Sequence, residues 1–160
     1  MIAWGIDPGL RRFYIAVVRD GKLLGVYGDE FETGKDGTAA VLRRLQGRVE
    51  DCAMAAWSEH GTPDAIIVEQ PINRGFDNPS LKYAVGVTLA ALSKHGYVDL
   101  LAASTWRKII FGKGNLKTAE AKKAALLTAA TVGYTGDSED AAEAVCIALA
   151  VEKEITKSAD

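Results

Sequence analysis

The order of the apolar segments constrains this chain more than any single motif does. Residues 1–7, 13–19 and 22–31 read as three strands, and "FYIAVVR" and "KLLGVYGDEF" are rich in β-branched and aromatic residues. Asp20-Gly21 between the second and third is a hairpin turn, so the three form an antiparallel meander. Residues 38–59 then place Leu42, Leu45, Val49, Cys52 and Ala56 at helical spacing, with Arg43, Arg44, Arg48 and Glu50 pointing elsewhere. Gly61-Thr62-Pro63 stops that helix. "DAIIVEQP", residues 64–71, follows as a continuous apolar run, the pattern of a strand buried on both faces. A strand reached through a crossover helix runs parallel to a strand of the meander. The expected sheet is therefore mixed, with helices on both faces, an α/β arrangement.

The rest of the chain extends this order. Residues 79–94 read as a helix, 97–102 as a short strand, and 104–111, 118–131 and 138–154 as three more helices, with a break at Gly112 and Gly114. No repeat, linker or low-complexity stretch divides the sequence, so one domain over residues 1–160 is expected, with a substantial core. Hydrophobic residues at 48% and charged residues at 25% place the chain among ordinary globular proteins and exclude a disordered one. Ala144 to Val151, the longest apolar stretch, is too short for a membrane span, and the N-terminus lacks the pattern of a secretory signal. Cys52 and Cys146 fall in helical apolar patterns and read as small buried residues in a reducing compartment. His60 and His95 each precede a glycine near a helix end, and no Cys/His spacing suggests zinc. Trp4, Trp57 and Trp106 are expected in the core.

Charge is unevenly spread. Residues 106–123, "WRKIIFGKGNLKTAEAKK", hold Arg107, Lys108, Lys113, Lys117, Lys122 and Lys123 against Glu120 alone. That local balance of +5 leaves −7 on the remainder of a chain whose net charge is −2. The whole molecule is not a basic nucleic-acid binder, but this strip can meet phosphate locally.

Four carboxylates complete the reading. Asp7 ends the first strand before Pro8-Gly9, and Glu69 ends the buried strand. If the two strands pair in parallel, both carboxylates reach the same edge of the sheet. Asp140 and Glu143, three residues apart, share one face of the last helix, whose N-terminus Asp137 or Ser138 can cap. Singly, each has an ordinary explanation: a turn Asp, a solvated Glu, acids answering a helix dipole. Two carboxylates at the ends of core strands are costly unless paired or bound to a cation. Three or four such groups can hold Mg²⁺ or Mn²⁺, two ions roughly 4 Å apart, and so activate water against a phosphodiester.

"GIDPGL", "IIVEQP" and "DAAEAVCIALA" resemble, in order and spacing, the three acidic motifs of RuvC-type Holliday junction resolvases, and "WRKIIFGKGNLKTAEAKKAAL" resembles the basic stretch of that family. The resemblance spans nearly the whole chain. It implies an RNase H-like fold, a five-stranded mixed sheet flanked by helices, with the fourth strand beside the first. It also implies a homodimeric, metal-dependent endodeoxyribonuclease that nicks four-way DNA junctions in the bacterial cytoplasm; a compact phage-type member also fits. By the same resemblance Asp7, Glu69, Asp140 and Glu143 are the catalytic and metal-binding residues, with Mg²⁺ or Mn²⁺ as cofactor. Arg107, Lys108, Lys113 and Lys117 are then phosphate contacts. Two positions depart from the family. Glu143 stands where Asp is usual, and Ile72 stands where members carry an aromatic that engages junction bases, with Phe76 nearby as a substitute. A broader branched-DNA nuclease acting on flaps and forks, and a junction binder without catalysis, are the alternatives. A sugar-kinase or actin-type ATPase, which shares a related core, needs a duplicated domain that 160 residues do not supply.

Overall fold

The computed structural model describes residues 1–32, 37–70 and 79–159. Three strands, β1 (Ile2–Asp7), β2 (Arg12–Arg19) and β3 (Lys22–Glu30), precede helix α1 (Thr38–His60), strand β4 (Ala65–Gln70), helix α2 (Pro79–Leu92) and strand β5 (Val98–Ala102). Helices α3 (Ala103–Phe111), α4 (Thr118–Thr131) and α5 (Glu139–Ala159) follow. The strands form one sheet in the order β3-β2-β1-β4-β5. β1 pairs antiparallel with β2 and parallel with β4, as the crossover argument requires. Asp20 and Gly21 both take positive φ, 51° and 72°, the primed turn whose twist suits a two-residue hairpin.

Alternation along the strands divides the core. Trp4, Ile6, Phe13, Ile15, Val17, Ile66 and Val68 face α1 and α2, while Ala16, Val18, Ile67 and Leu101 face α3, α4 and α5. Each fully buried aliphatic or aromatic side chain contributes about 1.5–3 kcal/mol. The stripe that α1 buries is Val41, Leu45, Val49, Ala53 and Ala56. Leu45, Val49 and Ala56 lie on it as expected, while Leu42 and Cys52 fall at its margins and are half-buried. Trp57, expected in the core, is not there. It follows Ala56, some 100° further round the helix, and is 45% exposed rather than in the core. Trp4 and Trp106 are fully buried, as expected. Both cysteines are free thiols. Among the described residues, no helix is long and apolar enough to cross a membrane.

Helix α5 lies against the middle of the sheet with its alanines inward, Ala141, Ala142, Ala144, Ala148 and Ala150 all being buried. The approach is closest at Gly5, where a Cβ would stand 2.2 Å from the backbone nitrogen of Ala148 and 2.3 Å from the carbonyl oxygen of Ala144. Only glycine permits it. Two residues on, at about 6.6 Å along the strand, β1 ends in Asp7 on the same face. One turn back toward its N-terminus, α5 presents Asp140 and Glu143. The close packing at Gly5 thus sets where the helix meets the end of the strand.

Candidate active site

Asp7 and Glu69 occupy matching places in the parallel pair. Ile6 is in register with Val68, so the next residue of each strand carries a carboxylate on the α5 side of the sheet. Ser138 accepts a hydrogen bond from the Ala141 N–H at 3.3 Å and starts α5 beside them. Asp7, Asp140 and Glu143 each offer a carboxylate oxygen, and these oxygens lie within 4.8 Å of one another. Glu69 borders that trio without joining it. The parallel pairing and the shared helix face therefore bring the acidic positions to one corner, as the sequence implied.

The crowding is visible in the proton affinities. Burial holds the Asp7 carboxyl well above the ordinary range, and the neighbouring charges of Glu69, Glu143 and Asp140 push the same way. Burial raises Glu69 to about 7, against the Trp106 hydrogen bond that favours its charged form. Glu143 is raised by burial although Arg107 opposes the shift. Removing acids from water and placing them together makes each harder to ionise. An all-oxygen donor set with excess negative charge suits a hard divalent cation, which relieves both penalties at once. The residues present therefore fit such an ion.

Four side chains brace the carboxylates. The Trp106 indole N–H donates to Glu69 at 2.7 Å, and Arg107 pairs with Glu143 at 2.9 Å. These neighbours on α3 reach a strand and a helix respectively, and the guanidinium lies 5.1 Å from the Trp106 ring centre. Lys122 of α4 donates to Asp140 at 2.9 Å and pairs with Glu139 at 3.1 Å. Arg12, the first residue of β2, pairs with the other Asp140 oxygen at 2.8 Å.

This arrangement corrects one expectation. Arg107, read from sequence as a phosphate contact, is 8% exposed and bound to Glu143. Its helix turns it inward beside Trp106, and the buried acid holds it there. Lys108, Lys113 and Lys117 are exposed. Lys117 also starts α4, where its N–H donates to the Glu120 carboxylate at 3.2 Å. Ile72 and Phe76 lie outside the described residues. The sequence reading missed Arg12 and Lys122 as partners of the acids. Lys122 was visible only as one member of the basic strip, and nothing near Arg12 in sequence signals its contact.

A five-stranded sheet in this order, flanked by helices, is the RNase H-like fold. No protein-family model matches the chain. Crossover junction endodeoxyribonuclease RuvC of Corynebacterium efficiens is 30% identical over 150 residues, which cover 92% of this chain and 66% of that protein. The protein of the same name from Corynebacterium diphtheriae is 28% identical over 92% of this chain and 90% of its own length. The structure of Thermus thermophilus RuvC superposes with a TM-score of 0.75 at 18% identity, covering 99% of this chain and 97% of that one. The same Thermus protein in complex with a Holliday junction substrate gives a TM-score of 0.70 at 18% identity, over 94% and 92% of the two chains. Over most of its length the chain is similar to these RuvC proteins in sequence and to Thermus RuvC in fold. It spans 66% of the C. efficiens relative's length, just under two thirds.

Proposed function

We propose that this chain is a metal-dependent endodeoxyribonuclease that resolves four-way DNA junctions by paired phosphodiester hydrolysis. The observation that carries the reading is the meeting of Asp7, Asp140 and Glu143 oxygens within 4.8 Å, beside Glu69 at the ends of two parallel strands. The names of the relatives, and the junction bound by the Thermus protein, support branched DNA as substrate.

In this reading Asp7, Glu69, Asp140 and Glu143 hold the cofactor, Mg²⁺ or Mn²⁺, two ions per site. When bound, such ions lower the pKa of a coordinated water and stabilise the leaving 3′-oxygen. The chain's own side chains keep the donors in place. Trp106 fixes the Glu69 carboxylate through its N–H, and Arg107 fixes Glu143. Lys108, Lys113 and Lys117 line up phosphates by charge, which makes binding steeply salt-dependent. Residues 1–160 act as one nuclease domain. A homodimer in the bacterial cytoplasm completes the proposal, since a two-fold pair of sites suits a nearly two-fold substrate.

The test is a cleavage assay with Mg²⁺ or Mn²⁺ on four-way junctions, flaps, forks and linear duplex. Paired symmetric nicks confined to junctions are expected. Equal cutting of flaps and forks would make it a general branch nuclease, and tight junction binding with no cutting would leave only a binder. Robust cleavage in excess chelator would overturn the metal chemistry.

A further inference from the structure

Asp140 is the most heavily countered acid of the site. Its side chain is 10% exposed, and each of its two oxygens meets a cation: Lys122 at 2.9 Å and Arg12 at 2.8 Å. The two cations come from different elements, α4 and β2, and neither is confined to this contact. Lys122 also reaches Glu139 at 3.1 Å. Arg12, half-exposed, also lies 3.8 Å from Glu30 at the rim. Asp7 contrasts with this: among the described residues its carboxylate accepts no hydrogen bond, although it is surrounded by the other acids.

A divalent cation taken up by Asp7, Asp140 and Glu143 would face two positive groups already on Asp140. Like charges at such separations repel strongly inside a partly dry site. The side chains best able to leave are those with a second partner or an open path to solvent, which describes Lys122 and Arg12. Arg107 is different: buried with Glu143, it has nowhere to go.

We propose that Lys122 and Arg12 form a displaceable counter-ion pair: they neutralise Asp140 in the ion-free site, and cation uptake releases them to the backbone phosphates of bound DNA. The first half concerns the carboxylates alone; the second rests on the nuclease reading above. The device would couple cofactor and substrate. Metal loading would both complete the site and switch two cations from an internal acid to an external polyanion.

The experiment uses the full chain, dialysed free of divalent ions. Mn²⁺ is titrated by calorimetry into wild type, Lys122→Met, Arg12→Met and Lys122→Arg, without DNA. Removing a competing positive charge should tighten Mn²⁺ binding about fivefold in each Met variant, and Lys122→Arg should restore the wild-type value. A fluorescent four-way junction is then titrated in Ca²⁺ and in chelator at several salt concentrations. In Ca²⁺ each Met variant should bind more weakly, with a salt slope smaller by about one unit; in chelator it should match wild type. Unchanged or weakened Mn²⁺ binding would overturn the counter-ion role. Tightened Mn²⁺ binding with wild-type junction affinity in Ca²⁺ would overturn the release to phosphate. If wild type itself bound no junction in Ca²⁺, the nuclease reading and the phosphate half would both fall, while the Mn²⁺ titration would still decide the other half. Thermal melting separates these results from misfolding, because a variant that merely loosens the start of α5 would weaken Mn²⁺ binding rather than tighten it.

Discussion

Glu143 and Glu152 sit on the same helix and are almost equally hidden, 7% and 8% exposed, yet they live in different electrostatic company. Glu152 accepts hydrogen bonds from the backbone N–H groups of Asp20 and Gly21, the latter at 2.7 Å, and so ties α5 to the β2–β3 turn. Glu143 instead faces Asp7 and Asp140, and its countercharge comes from the buried Arg107. Burial alone therefore does not mark a functional acid. What separates the two is crowding: one carboxylate is satisfied by neutral donors, the other stands among acids that only a cation can quiet.

The sharpest way to break this comparison is to remove a crowded acid. Asp7→Asn should lower junction cleavage by about a thousandfold or more while leaving junction binding in Ca²⁺ close to wild type. Single-turnover cleavage beside a binding titration measures both, and near-normal cleavage would sink the role of the crowded end. Arg107→Met should come next. It strands Glu143 in the interior and should cost about 3–5 kcal/mol in chemical denaturation without metal. Adding Glu143→Gln to that variant should recover much of the loss, since the pair and not the packing is at stake.

The acids also predict an inverted pH trend. The folded carboxyl of Glu69 titrates at about 7 against an ordinary 4.5. Between those values the folded protein holds a proton that the unfolded chain has released. Its contribution to stability is complete below pH 4.5 and is lost as pH rises through about 7. In chelator, wild type should lose up to about 3 kcal/mol relative to Glu69→Gln between pH 5 and pH 8. Mg²⁺ or Mn²⁺ should reverse the trend, because cations bind the ionised acids. Denaturant melts at the two pH values, with and without metal, give the sign directly. The smallest effect belongs to the satisfied acid. Glu152→Ala should cost about 2 kcal/mol of stability and leave the cleavage rate of the folded protein unchanged.

Much of the fold was legible because its determinants are local. Asp20-Gly21 dictates a hairpin, the run before Glu69 dictates a buried strand, and the helix between them forces the parallel pair that sets Glu69 beside Asp7. Asp140 and Glu143 were placed on one face by helical spacing alone. The bracing was not legible. Trp106 and Arg107 meet acids 37 and 36 residues away, and which side of α3 turns inward depends on how it seats against α5. A basic strip looks the same in sequence whether its cations face DNA or an internal carboxylate, so Arg107 was misplaced and Lys122 overlooked. Trp57 fails for a related reason: it stands one residue past the buried Ala56, some 100° round α1, where the side chain meets solvent.

Gly5 carries a last consequence. Because α5 rests on bare backbone there, the gap between Asp7 and the acids of the helix is gauged by a hydrogen atom. A methyl group at that position would lift the helix and widen the jaws of the site, two residues from any acid. Small ions such as Mg²⁺ demand short, near-ideal oxygen contacts, whereas Ca²⁺ tolerates longer ones. The calibre of an ion held at this corner would thus be set by the thinnest residue of the strand beneath it.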